Sequence, residues 1–191
     1  MAEIVLFHHA QGLTAGTVEF ADTLRQAGHT VHTPDLYDGR TFDSLDDGLA
    51  YAGQIGFGEV AQRGLRAAEA LPAEAVYVGL SLGVMPAQQL AQTRPGAKGA
   101  LLIYSFVAPA EFGEGWPAGL PAQVHGMDGD PFFAEEGDID AARAFVAETP
   151  EAELFVYPGK AHLFADRGLA DYDEKAAALL TDRVLTFLSR I

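Results

Sequence analysis

Cysteine is absent from this sequence of 191 residues. The absence excludes disulfide bonds, zinc sites built from thiolates, and any enzyme mechanism that uses a cysteine nucleophile. A fold of this size must therefore be stabilised by a packed core, for which an apolar fraction of 49% is ample. Length and composition together predict one globular domain over residues 1–191.

Positive charge is also scarce. Only 12 lysine and arginine residues stand against 27 acidic residues, which gives a formal net charge of -15. Because no basic cluster is present, we expect neither nucleic acid nor an anionic membrane surface as a partner. The apolar runs are shorter than the roughly 20 residues of a membrane span. The start, MAEIVLFHHAQG, lacks the features of a signal peptide, and we expect a cytoplasmic protein.

Patterns of metal ligands are missing as well. The adjacent residues His8 and His9 have no second cluster of His, Asp or Glu at a recognisable ligand spacing. We therefore predict that the protein uses no metal and no other cofactor.

The sequence does contain a regular alternation of short apolar runs and longer amphipathic segments. This alternation indicates an α/β fold, a mostly parallel sheet of about six or seven strands with helices on both faces. The predicted strands are residues 3–10, 29–38, 73–83, 97–105, 121–127 and 152–159, and the predicted helices are residues 15–28, 48–71, 85–94, 138–149 and 173–191.

Such sheets bind ligands beyond the carboxyl ends of their strands. We therefore expect the functional site among the polar residues at these ends. They are His8, His9, Asp35, Ser81, Ser105, Asp128, Asp130 and His162.

Ser81 has the most distinctive surroundings of this set. It is the centre of GLSLG (79–83), a Gly-x-Ser-x-Gly motif between a predicted strand and a predicted helix. This order predicts a nucleophile elbow, a sharp turn that holds the serine in an unfavourable backbone conformation. The glycines avoid collisions with the neighbouring backbone, and the helix N-terminus directs N–H groups at the same point. The alternative is an ordinary turn, in which Gly79 and Gly83 serve only the backbone.

A serine nucleophile needs a histidine to accept its proton and a carboxylate to orient that histidine. In elbow-type hydrolases these residues follow in the order serine, acid, histidine. After Ser81, the segment DGDPFF supplies Asp128 and Asp130, and the segment PGKAHLF supplies His162. The residues therefore predict a triad of Ser81, His162 and one of the two aspartates.

Four segments together resemble the dienelactone hydrolase family of the α/β-hydrolase superfamily. They are FHHAQGL (7–13), GLSLG (79–83), HGMDGDPFF (125–133) and YPGKAHLF (157–164). The resemblance extends over essentially the whole chain. It implies a compact α/β-hydrolase fold that lacks the extra N-terminal strands of larger members.

The resemblance also implies a role for individual residues. Ser81 falls at the position of the nucleophile and His162 at that of the base. Asp130 falls at that of the acid because its Asp-Pro pair resembles the family pattern, and Asp128 is the alternative acid.

For the oxyanion hole, the resemblance implies the backbone N–H of Leu82 and one N–H from the loop after the first strand, at Ala10 or Gln11. The namesake of the family has a cysteine nucleophile and a glutamate in that loop, which manages the proton of the thiol. Here the nucleophile position is a serine and HHAQG contains no glutamate. The two departures agree, since a serine activated directly by histidine needs no such glutamate.

A third departure concerns the substrate. The namesake has an arginine four residues after the histidine, which holds the carboxylate of its substrate. Here that position is Asp166, with Arg167 one residue later. This departure implies a substrate other than dienelactone itself.

Together these expectations describe a serine hydrolase that cleaves a small carboxylic ester or lactone through an acyl-enzyme. The partner would be that small-molecule substrate, and we expect a monomer or a weak homodimer. Two alternatives stay open: thioesterase, peptidase or acyltransferase chemistry on the same triad, and a non-catalytic small-molecule-binding protein on the same scaffold.

Overall fold

The computed structural model describes residues 1–191. Six strands form one sheet in the order β2-β1-β3-β4-β5-β6, and all neighbouring strands are parallel. The strands are β1 (Glu3–Phe7), β2 (Thr30–His32), β3 (Ala75–Leu80), β4 (Gly99–Ile103), β5 (Ala122–Met127) and β6 (Ala152–Tyr157). The α-helices are α1 (Ala15–Gln26), α2 (Leu45–Ile55), α3 (Phe57–Glu69), α4 (Val84–Thr93), α5 (Asp138–Glu148) and α6 (Glu174–Leu188). None of these helices combines the length and the apolar character that crossing a membrane requires.

The alternation of side chains along each strand divides the core between the two faces of the sheet. On β1, Ile4 and Leu6 belong to one apolar cluster, whereas Val5 and Phe7 belong to the other. Helices α1 and α6 cover the first face, and α2, α3, α4 and α5 cover the second. The four inner strands, β1, β3, β4 and β5, are therefore buried on both sides, which confirms the predicted α/β class and explains their continuous apolar runs.

The segment 48–71 differs from its prediction as one helix. It contains most of α2 and all of α3, which meet at Gly56. Gly56 has φ 96°, a left-handed conformation that ends one helix and redirects the chain into the next.

The predicted strand 29–38 is also shorter in the structure. It pairs with β1 only over Thr30–His32. Pro34 follows and has no N–H to continue the ladder of hydrogen bonds. Asp35 then accepts the N–H of Tyr37 at 2.8 Å, which turns the chain away from the sheet.

His125 on β5 is a fully buried histidine on the face covered by α6. The hydroxyl of Tyr157 on β6 lies 2.9 Å from its Nδ1, and Oε1 of Gln123 lies 3.2 Å from its Nε2. Because an amide oxygen only accepts, Nε2 carries the proton and Nδ1 accepts from the tyrosine. Burial, assisted by the charge of Arg183, lowers the pKa of His125 from 6.5 to about 3.

We expect His125 to make the folded protein sensitive to mild acid. Between pH 6.5 and about 3 the unfolded chain is protonated at this residue and the folded protein is not. The free energy of unfolding therefore falls as the pH decreases through this window, by up to about 1.4 kcal/mol per pH unit. Urea unfolding at several pH values should give a shallower slope for His125→Gln than for the wild type. Equal slopes for wild type and His125→Gln would contradict the expectation.

Candidate active site

Ser81 lies at the turn between β3 and α4. The strand ends at Leu80, and Ser81–Gly83 form one 3-10 turn that leads directly into the helix. Ser81 has φ 50°, in the left-handed region that residues other than glycine rarely adopt. This strained residue carries its hydroxyl to the carboxyl edge of the sheet, where it meets His162.

Close packing around this turn requires the two glycines of the motif. A Cβ atom on Gly79 would lie 2.5 Å from the carbonyl oxygen of Gly83 and from Cα of Val84. A Cβ atom on Gly83 would collide with the carbonyl oxygens of Phe7 and His8, at the end of β1. Both positions therefore exclude any larger residue.

Ser81, His162 and Asp130 form one chain of hydrogen bonds. Oγ of Ser81 is 2.8 Å from Nε2 of His162, and Nδ1 of His162 is 2.7 Å from Oδ2 of Asp130. An ionised carboxylate only accepts, so Nδ1 carries the ring proton and Nε2 accepts from the serine hydroxyl. His162 and Asp130 are 5% and 0% exposed, which keeps water from competing for these bonds.

Asp130 is held by the turn that follows β5. Its second oxygen, Oδ1, accepts the N–H of Phe132 at 2.9 Å, at the start of a short helical turn over Pro131–Glu135. The ring of Phe132 lies against the ring of His162, with centroids 4.7 Å apart. Asp130 and His162 are thus both held in place by the loop after β5.

Asp128, the alternative acid, makes no hydrogen bond to His162. Its side chain is exposed, and Oδ1 accepts the N–H of Gly159 at 3.0 Å. The N–H of Gly129 also donates to the carbonyl of Gly159, at 2.8 Å. Asp128 therefore joins the loops after β5 and β6, which carry Asp130 and His162.

The candidate oxyanion donors come from two segments. Leu82 follows Ser81 at the start of the turn into α4. After β1, the N–H of Gln11 donates to Nδ1 of His9 at 3.2 Å. The N–H of Ala10, by contrast, has no acceptor within the protein, although this residue is fully buried. Because a buried N–H without a partner is uncommon, the N–H of Ala10 is the candidate oxyanion donor of this loop.

His8 and Ser105, also expected at this edge, have side chains that form hydrogen bonds and hold neighbouring loops. His8 donates from Nδ1 to the carbonyl of His9 at 2.8 Å, and its Nε2 accepts the N–H of Leu36 at 3.0 Å. Burial lowers the pKa of His8 from 6.5 to about 4, which keeps the ring neutral at neutral pH. The hydroxyl of Ser105 donates to Asp138 at 2.7 Å. The structure has no cluster of three or more His, Asp or Glu side chains arranged to hold a metal ion.

A cleft of about 160 Å³ opens beside His162. The residues that line it include two carboxylates and no lysine or arginine. They are Gln11, Asp43, Leu45, His162, Leu163, Leu169, Ala170 and Asp171. No sequence motif marks Asp43, Leu169 or Asp171, because their loops meet His162 only through the fold.

Arg167 does not line this cleft. It lines a separate groove between α1 and α6. Its side chain is exposed, and Nε donates to the hydroxyl of Tyr172 at 3.2 Å. The chain therefore has no arginine beside His162 at the place where the resemblance would put one.

The sequence matches the family model of the dienelactone hydrolase family over residues 1–191. This chain belongs to the dienelactone hydrolase family. The match confirms the predicted resemblance, and membership of this family supports a hydrolase function.

Solved structures show the same fold. The dienelactone hydrolase-like promiscuous phosphotriesterase P91 from metagenomic libraries is 20% identical, with a TM-score of 0.76 over 100% of this chain and 86% of that chain. A dienelactone hydrolase from Anabaena variabilis ATCC 29413 is 19% identical, with a TM-score of 0.68 over 99% and 86% of the two chains. The esterase domain of a Rhodothermus marinus protein is 15% identical, with a TM-score of 0.63 over 99% and 86%. Such identities show the fold alone, and no curated protein matches the sequence significantly.

We expect Ser81→Gly to be more stable than Ser81→Ala. Both variants lack the hydroxyl, but only glycine relieves the positive φ, so its free energy of unfolding should be higher by roughly 0.5–1 kcal/mol. Urea unfolding of the two variants measures the difference. The matched control is Ser189, where φ is -70° and alanine should be the more stable replacement. Equal or lower stability of Ser81→Gly would mean that the turn is not strained at this residue.

Proposed function

We propose that this protein is a serine hydrolase that cleaves small carboxylic esters or lactones through an acyl-enzyme. The observation that carries the proposal is the chain of hydrogen bonds from Ser81 through His162 to Asp130, at 2.8 Å and 2.7 Å. Its support is the combination of this geometry with a strained serine, a buried acid and membership of the dienelactone hydrolase family.

In the proposed reaction, Oγ of Ser81 attacks the substrate carbonyl while Nε2 of His162 takes the serine proton. The ionised Asp130 stabilises the imidazolium that forms. The N–H groups of Ala10 and Leu82 donate to the oxyanion of the tetrahedral intermediate. His162 then protonates the departing alkoxide, which leaves as the alcohol from an ester and stays on the acyl chain as a hydroxyl from a lactone. A water molecule, deprotonated by the same ring, attacks the acyl-enzyme, and the ring returns this proton to Oγ of Ser81 as the acid is released.

Groups near Ser81 and His162 would stabilise the two charges that form in this reaction, the oxyanion and the imidazolium. The oxyanion would form near the N-terminus of α4, whose partial positive charge stabilises an anion. The positive charge on His162 would form next to a fully buried carboxylate. Both charges develop where opposite charge or aligned dipoles are already in place, so little reorganisation is needed.

We expect a fluorophosphonate probe to form a single adduct on Ser81, read as intact mass and by mapping of the labelled peptide. Ser81→Ala should abolish the adduct together with the hydrolysis of p-nitrophenyl acetate and of a small lactone. The same triad chemistry cleaves thioesters and peptides, so the substrate panel includes both. An intact, fully active Ser81→Ala protein would overturn the proposal. A folded wild type without adduct or activity would favour the binding-protein alternative.

The two aspartates supply the matched control for this experiment. Asp130→Asn should lower kcat by about 10³- to 10⁴-fold, because the amide cannot stabilise the imidazolium. Asp128→Asn removes the same charge from an exposed side chain that makes no hydrogen bond to His162, and it should leave kcat within a few-fold of the wild type.

The cleft beside His162 bears on the choice of substrate. Asp43 and Asp171 are exposed carboxylates on its walls, and no cation lines it. Like charges repel, and a cleft lined by one sign of charge disfavours ligands of that sign. We therefore propose that the substrates are neutral or cationic rather than anionic.

This proposal predicts a charge preference among esters of one alcohol. We expect kcat/KM for a hemisuccinate ester to be about tenfold lower than for the neutral butyrate ester, since two like charges in partial solvent interact by about 1–2 kcal/mol. The double variant Asp43→Asn, Asp171→Asn should bring the two kcat/KM values closer together, and so should added salt. The control, Asp22→Asn with Asp182→Asn in the groove between α1 and α6, makes the same change in net charge and should leave the ratio unchanged. A preference for the hemisuccinate would contradict the proposal.

A further inference from the structure

A second buried histidine–carboxylate pair lies behind the loop that follows β1. Nε2 of His9 is 2.9 Å from Oδ2 of Asp166, and the two residues are 0% and 4% exposed. Asp166 also accepts the hydroxyl of Thr14 at 2.7 Å and the N–H of Gly168 at 2.9 Å. Burial alone would raise the pKa of Asp166, but the hydrogen bonds from these three residues outweigh it and lower the pKa. The carboxylate is therefore ionised at neutral pH.

The other ring nitrogen of His9 holds the backbone of its own loop. Nδ1 accepts the N–H of Gln11 at 3.2 Å, so it carries no proton. Nε2 then carries the ring proton and donates it to Asp166. The N–H of Gly12 donates to the carbonyl of His9 at 3.0 Å, and Gly12 has φ 90°. Residues 9–12, which we name the oxyanion loop, thus form a tight turn in which the imidazole acts like the side chain of an Asx turn.

This turn decides which N–H of the oxyanion loop is free. With the N–H of Gln11 drawn to the ring of His9, the N–H of Ala10 is left without a partner. We propose that His9 and Asp166 are positioning residues that hold the oxyanion loop in the turn that presents the N–H of Ala10, a role that rests on the proposed hydrolase function. The two residues act in series. Asp166 orients the imidazole, and the imidazole fixes the turn.

The pair also joins two sides of the candidate site. Asp166 lies four residues after His162, and its N–H donates to the carbonyl of Leu163 at 3.0 Å. The hydrogen bond between His9 and Asp166 therefore connects the oxyanion loop to the loop that carries the proposed base. An experiment must separate an effect through His9 from an effect through His162.

Two substitutions of His9 separate its two hydrogen bonds. In His9→Asn, the side-chain oxygen of asparagine takes the place of Nδ1 and accepts the N–H of Gln11, but the side chain does not reach Asp166. In His9→Gln, the side-chain nitrogen of glutamine takes the place of the ring Nε2 and donates to Asp166. The N–H of Gln11 is then left without its acceptor. We expect both variants to lower the melting temperature. His9→Asn should keep kcat within about threefold of the wild type, whereas His9→Gln should lower kcat by about 10- to 100-fold with little change in KM.

A double-mutant cycle tests whether Asp166 acts through His9. Asp166→Asn should lower kcat by about tenfold in the wild-type background. Asp166 accepts from His9 with one carboxylate oxygen and from Gly168 with the other, whereas asparagine has only one acceptor oxygen. In the His9→Asn background the same substitution should change kcat by less than about twofold, since the turn no longer depends on the ring. Equal effects in both backgrounds, or equal kcat losses for His9→Asn and His9→Gln, would overturn the proposal.

The control and a readout without substrate complete the test. His125→Gln alters a buried histidine that is hydrogen-bonded to Tyr157 and lies outside the oxyanion loop, and it should lower the melting temperature without lowering kcat. In ¹⁵N spectra of the wild type, assigned with His9→Asn, His9 should appear as the neutral ring protonated at Nε2. A charged ring or a proton on Nδ1 at neutral pH would overturn the proposal even if the protein hydrolysed no ester. The hydrolase proposal would fail on different results: activity that survives Ser81→Ala, or a folded wild type with neither a fluorophosphonate adduct nor activity.

Discussion

The contact between Gly83 and the end of β1 sets the geometry on which the candidate site depends. A Cβ atom at this glycine would strike the carbonyl oxygens of Phe7 and His8. The turn that carries Ser81 and the strand that leads into the oxyanion loop therefore meet with only backbone between them. Since neither segment can retreat without opening a gap in a core packed on both faces, packing fixes the separation between the serine turn and the end of β1. Beyond that end, residues 9–12 are held by the hydrogen bonds of His9 to Gln11 and Asp166.

The other half of the site depends on the loops after β5 and β6. Asp128 and Gly129 bind the backbone of Gly159, so the loop that holds Asp130 and the loop that holds His162 are hydrogen-bonded to each other. Asp130 is further fixed by the turn that it caps. Two contacts thus bring together residues that lie far apart in the sequence. One joins Gly83 to the end of β1, and the other joins the loop after β5 to Gly159.

Much of this arrangement can be predicted from the sequence. Ser81 and His162 stand out because strand, turn and helix patterns are local, and the α/β alternation places both residues at the carboxyl ends of parallel strands. The strand order that brings these ends together comes from the structure. The residues alone leave the choice between Asp128 and Asp130 open, and only the resemblance favours Asp130. Both residues follow β5 within one turn, and the direction of the chain after Met127 decides which one reaches the ring. The pairing of His9 with Asp166 spans 157 residues and has no local signal at all.

The two buried histidines illustrate why similar pairs have different chemistry. His162 directs a protonated Nδ1 at a carboxylate, and its Nε2 faces a hydroxyl that can give up its proton. His9 directs a protonated Nε2 at a carboxylate, but its Nδ1 faces a backbone N–H, which cannot give up a proton at any pH that the fold survives. In the proposed reaction the first ring passes through the imidazolium form, whereas a proton on Nδ1 of the second ring would break its hydrogen bond to Gln11. The partner of the second nitrogen, and not the burial or the carboxylate, is what separates a candidate base from a candidate support.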